Sequence, residues 1–165
     1  MNVLKNECAI SPAWNPTKGG TAPKLVEFVA IWDTGATNSV ITQKVIDDCG
    51  LAPTGMTKVR GVHGVSQSET YLVNIALPDK VVFAGMRVTK GDFTGGDILI
   101  GMDIINRGDF AVTNHNGTTR FSYRVPSQGY IDFVEEIKQA KGVEVQAATR
   151  AERRRAERQR KKSGR

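Results

Sequence analysis

The chain has 165 residues, 39% of them hydrophobic, with 17 glycines and a formal net charge of +6. That length suits one domain, which buries roughly two-thirds of its unfolded surface, and the composition fits a turn-rich globular protein rather than a disordered one. Cys8 and Cys49 form no pattern, which speaks against a disulfide scaffold or a zinc site, and no apolar run approaches the length that spans a bilayer.

The opening MNVLKNECAI lacks the basic-then-apolar order of a signal peptide. With two unpatterned thiols, the expectation is a cytoplasmic protein without a membrane partner. Residues 1–23, rich in Pro, Gly, Asn and Thr, read as an irregular arm. KLVEFVAIW, bounded by Pro23 and Gly35, reads as a strand, and TQKVIDDCG as a short helix with Thr42 at its start and Gly50 at its end. TKVRGV and VSQSETYLVNIAL are two extended arms, with His63-Gly64 as the expected turn between them. KVVFAGMRVT and DILIG are further strands, and DFAVTNHNGTTRFSYRV is a hairpin turning at Asn116-Gly117. Many short strands, glycine turns and little helix indicate an all-β body of barrel or sandwich type.

After Pro126 the pattern changes. YIDFVEEIKQAKG carries Ile131, Val134 and Ile137 at the spacing of one helical face. Lys138 to Arg165 holds 11 basic and 3 acidic residues, leaving 12 basic and 14 acidic residues over 1–137, so nearly all the basicity sits in the tail. That tail reads as a solvated helix or a frayed segment, as a surface for nucleic acid or the ribosome, or as a linker. Its last residues, RKKSGR, resemble the run-up to a short cysteine-rich zinc motif of some bacterial proteins, though the cysteines themselves are absent.

The chemistry-bearing stretch is VEFVAIWDTGATNSVI. A carboxylate at the end of an apolar strand is costly unless a turn satisfies it or a reaction needs it. An apolar strand enters Asp33-Thr34-Gly35, ATNSVI leaves it, a glycine-containing hairpin follows, and DILIGMDII closes the pattern. Over residues 24–126 this order resembles the retropepsin-like aspartic proteases, the family of retroviral proteases and their bacterial and eukaryotic relatives. The resemblance implies an all-β closed barrel with a flap hairpin and one or two short helices, followed here by a basic C-terminal helix or tail. The domains expected on this reading are an arm over 1–23, the protease domain over 24–137 and the tail over 138–165.

Residue by residue, the resemblance makes Asp33 the catalytic acid. Thr34 becomes the residue that bonds across to a partner loop, and Gly35 the one whose amide faces the carboxylates. Ala36 stands where two-lobed relatives carry serine; without that hydroxyl donor the carboxylates are held less acidic, and a less acidic working pH is expected. Ile98, Leu99, Ile100 and Gly101 match the supporting strand, and Asp103 is expected to cap the following short helix. Gly61, Val62, His63, Gly64 and Val65 match the flap over the substrate, although the family's flap tip is glycine-rich and the apex here contains His63. His63 and His115 lack metal-ligand spacing, so neither a metal nor an organic cofactor is expected.

No other aspartate stands in an apolar–Asp–Thr/Ser–Gly setting. Two carboxylates about 3 Å apart sharing one proton are needed for this hydrolysis, so a homodimer acting on a peptide or protein substrate is implied, and by resemblance a bacterial one. The alternative is a catalytically silent dimerisation or peptide-binding module of the same fold, with a tail that docks on nucleic acid.

Overall fold

The computed structural model describes residues 3–61 and 64–163. They divide into two compact units, Met1–Gln128 and Gly129–Arg165. The expected boundary at residue 137 therefore falls inside the second unit.

The first unit is built on one sheet that closes on itself. Its strands are β1 (Lys5–Pro12), β2 (Val26–Trp32), β3 (Val40–Ile41), β4 (Gly55–Gly61), β5 (Gly64–Ala76), β6 (Val82–Lys90) and β7 (Ile98–Ile100). They run in the order β1-β2-β7-β3-β6-β5-β4, and β1 pairs with β5 as well as β2, so six strands form a ring with β4 appended. This is the expected all-β closed barrel.

Alternation builds the wall. Along β2, Phe28, Ala30 and Trp32 turn inward and are buried while Glu27 and Val29 face out. On β7, which lies between β2 and β3, Ile98 and Ile100 are fully buried. Val73 and Ile75 of β5 and Val88 of β6 complete the interior.

The N-terminal segment departs from its reading as an irregular arm. Residues 5–12 are a strand that pairs antiparallel with β2 from Lys5↔Ile31 to Ile10↔Val26, and with β5 from Ala9↔Ala76 to Pro12↔Val73. Only Cys8 and Ile10 of β1 are apolar and fully inward. Pairing on both sides, rather than local composition, makes this segment a strand. Asn74 holds the next stretch: its Nδ2 donates to the Trp14 carbonyl at 3.2 Å, and its Oδ1 accepts the Gly85 N–H at 2.8 Å.

Helix α1 (Gln43–Cys49) begins after Thr42, whose hydroxyl makes no capping bond. It donates instead to the Asp97 carbonyl at 3.1 Å, because the tertiary partner lies closer to hand than the helix amides. Gly50 ends the helix in the left-handed region at φ 60°. A second hairpin, β8 (Asp109–His115) and β9 (Thr118–Arg124), forms its own two-stranded sheet. Its loop residues Asn116 and Gly117 have φ of 49° and 73°, the positive pair a type I′ turn requires. The hairpin packs aromatic rings on the end of β2: Trp32 lies 5.5 Å from Phe110 and 4.8 Å from Tyr123, centroid to centroid.

In the second unit, Phe133–Ser163 form one long helix, α3, the helical reading of the basic tail. Asp132 opens it, accepting the Val134 and Glu135 N–H groups at 2.9 and 3.1 Å. Among the described residues, no helix is long and apolar enough to cross a membrane.

Candidate active site

Asp33 follows the last residue of β2. Its N–H donates to the Ile100 carbonyl at 3.0 Å, so the parallel β2–β7 pairing, with Trp32 opposite Ile100, carries one step into the loop. The carboxylate Oδ1 accepts the Gly35 N–H at 2.8 Å. A Cβ on Gly35 would lie 3.1 Å from that oxygen, so glycine here lets the amide approach the acid closely. The Ala36 N–H closes the turn on the Asp33 carbonyl at 3.2 Å. Asp33 is half-buried and Thr34 exposed. No described residue bonds the Thr34 hydroxyl or places a cation on Asp33.

The far side of this loop is pinned to the β7–α2 junction, where α2 (Met102–Ile105) is a single turn. The Met102 N–H donates to the Ala36 carbonyl at 2.8 Å, and the Asp103 N–H to the Thr37 carbonyl at 3.2 Å. Gly101 sits where a Cβ would meet Asn38 C at 2.7 Å, Asn38 O at 2.8 Å and Ala36 O at 2.9 Å. Only glycine lets the two backbones approach that closely.

Asp103 does not cap α2 as expected; it lies within the turn, and its carboxylate reaches back to the Asp33 loop. Gly101 occupies the cap position of α2, while the Asp103 carboxylate accepts the Ser39 N–H at 3.0 Å and the Ser39 hydroxyl at 2.8 Å. The same hydroxyl oxygen accepts the Gly101 N–H at 3.1 Å. Ser39, with no exposed surface, thus links the Asp33 loop to the supporting strand. Asp97, at the head of β7, donates its N–H to the Val29 carbonyl at 2.8 Å and accepts the Thr42 N–H on its own carbonyl at 3.1 Å, and its carboxylate accepts the Val29 N–H at 2.9 Å.

The flap hairpin is β4–β5, paired from Gly55↔Thr70 to Gly61↔Gly64. The expected His63-Gly64 turn falls in part outside the described residues. Val62 and His63 lie outside the described residues. Gly64 has φ of 114°, which glycine tolerates, and Val65 is 60% exposed. A groove of about 570 Å³ runs between this hairpin and the end of β6, with Met56, Val59, Val65, Gln67, Lys90 and Asp92 among its walls. None of residues 33–36 lines it.

The protein family described as "gag-polyprotein putative aspartyl protease" matches residues 25–107, half of the chain. The chain belongs to this family. Three solved structures are similar to this retropepsin-like aspartic protease chain. The EIAV protease complexed with the inhibitor HBY-793 is 18% identical, with 64% of this chain and 86% of that one covered and a TM-score of 0.47. The Simian Foamy Virus (mac) protease is 18% identical, covering 62% and 92% with a TM-score of 0.42. A retropepsin-like aspartic protease from Rickettsia conorii is 16% identical, covering 68% and 89%, with a TM-score of 0.42. No curated protein sequence matches.

In this member of the family, Asp33, Thr34, Gly35, Ala36 and the strand 98–101 come together as one unit, while Gly64 and Val65 stand on a separate hairpin. Sequence reasoning missed Ser39 and underestimated Asp103. A signal was present, since a hydroxyl six residues after the acid and a carboxylate two after Gly101 can meet only if the loop and strand lie side by side. Among the described residues, no three His, Cys, Asp or Glu side chains gather as metal ligands would.

Proposed function

We propose that the chain is an aspartic endopeptidase that works as a homodimer, hydrolysing peptide bonds with a water held between Asp33 and the Asp33 of a second copy. The observation that carries this reading is a carboxylate braced at the end of a barrel strand with Oδ2 and the neighbouring Thr34 hydroxyl lacking partners among the described residues. A turn aspartate needs no such bracing of its loop on two sides.

Two such carboxylates at about 3 Å share one proton, because like charges that close cannot both ionise. The ionised one takes a proton from water as the oxygen attacks the scissile carbonyl; the protonated one donates to the carbonyl oxygen. The Gly35 N–H holds its own carboxylate in place, and Thr34 bonds across the two-fold axis. An extended peptide lies beneath the β4–β5 hairpins as an added strand, with closure of the hairpins excluding water. Cys8 and Cys49 are free thiols, in keeping with a cytoplasmic site of action.

The test is cleavage of a peptide library by wild type and by Asp33→Asn. The substitution abolishes cleavage, and a ninefold excess of it over wild type lowers the yield per wild-type chain to about one tenth, since most pairs are then mixed. Equal inertness of the two proteins with retained peptide binding would favour the silent-module reading. Activity unaffected by the mixed population would refute the shared dyad. With Ala36 in place of serine, the pH–rate profile peaks well above pH 2; a maximum near about pH 2 would contradict the role given to the missing hydroxyl.

A further inference from the structure

The second half of α3 takes no part in the chemistry above, yet it is the most strongly charged surface on the chain. Arg150, Arg153, Arg154, Arg155 and Arg158 are all exposed, and none forms an ion pair with a described residue. At about 100° per residue, Arg150, Arg154 and Arg158 fall within roughly 80° of one another and span about 12 Å of helix. Arg153 and Arg155 extend the basic surface to either side. Glu152 falls on the opposite face, and Glu157 sits at one margin of the stripe.

We infer that this half of α3 binds double-stranded DNA through its phosphates, without reading sequence. Charge complementarity selects a dense polyanion, and arginine's planar fork suits phosphate oxygens. The uncharged residues from 149 to 159 are Thr149, Ala151, Ala156 and Gln159. A membrane-surface helix needs a broad apolar face, which these do not supply. Single strands are gripped by aromatic stacking, and this segment holds no aromatic. A B-form major groove about 12 Å wide admits a helix whose diameter with side chains is about 10–12 Å, and arginines on both flanks then reach both phosphate walls. The major groove of A-form RNA is too narrow for that fit. The inference stands apart from the peptidase reading, since it uses no residue of the first unit.

Fluorescence anisotropy of the full chain with a labelled DNA duplex of mixed sequence tests it. Five phosphate contacts give a log–log salt slope of about −4.5, so affinity falls roughly 500-fold between about 50 and 200 mM salt. Replacing Arg150, Arg154 and Arg158 together by Gln, a good helix former, brings the slope to about −2 and the fall to roughly 12-fold. The same three changed to Lys keep the slope. Circular dichroism checks that helix content is held in both variants. No duplex binding at about 100 μM protein in low salt, an unchanged slope in the Gln variant, or tighter binding to an RNA duplex of equal length would overturn the assignment. So would binding confined to phosphatidylcholine vesicles containing about one-third phosphatidylserine.

Discussion

Replacing Ser39 by Ala removes one hydroxyl from the junction that holds the Asp33 loop. Ser39 has no exposed surface, so water cannot take the place of its oxygen. The Gly101 N–H, 3.1 Å from that oxygen, loses its acceptor, and an orphaned buried donor costs about 1–3 kcal/mol. The bond to the Asp103 carboxylate at 2.8 Å is charge-assisted, worth about 1.5–3 kcal/mol when made. Asp103 is half-buried, and its Oδ1 also accepts the Ile104 N–H at 3.1 Å, so part of that second loss is recovered. A net loss of about 2–3 kcal/mol is expected, which lowers the urea midpoint by about 1–2 M. A cycle with Asp103→Ala gives a coupling of about 1–2 kcal/mol, because each substitution removes the other's partner. A midpoint shift below about 0.3 M, or additive single substitutions, would refute the bracing role of this pair.

Gly101→Ala places a methyl within 2.9 Å of three backbone atoms, none of which can swing aside; destabilisation at the upper end of about 1–3 kcal/mol is expected by urea unfolding. Asp109, at the base of the β8–β9 hairpin, accepts bonds from the Gln128 N–H, the Ser127 hydroxyl and Arg124, which hold its pKa down at about 2. Its folded-state value lies below the ordinary carboxylate value, so its contribution is fully present above about pH 4 and is lost as the pH falls towards 2. Thermal unfolding of wild type and Asp109→Asn at pH 6 and in that acid window checks this, and the difference between them shrinks in acid. Burial, aided by the nearby Asp97 charge, pushes the Cys8 thiol up to about 12, and burial, with Asp48 adding to it, raises Cys49 to about 11. Both therefore resist a thiol reagent at about pH 8 in the folded protein and react on addition of denaturant; rapid labelling of Cys8 in the native state would show that the β1 pairing opens readily.

Local chemistry in the sequence determined a good deal. The run of β-branched and aromatic residues between Pro23 and Gly35 marked β2, the Asn116-Gly117 pair marked the second hairpin by demanding positive φ at both positions, and Gly50 marked the end of α1. The order of Asp33-Thr34-Gly35 and Ile98 to Gly101 pointed to an all-β barrel with an acid at the end of one strand. Each of these signals lies within a few residues of the structure it specifies. The tertiary structure alone decided what depends on partners far along the chain. Residues 5–12 became a strand because β2 and β5 flank them, and that double pairing closes the barrel. Thr42 turned from its own helix to Asp97, and Ser39 found Asp103 across a separation of 64 residues. A hydrogen bond is satisfied by whichever group the fold brings within about 3 Å, and the chain's local composition does not record that distance.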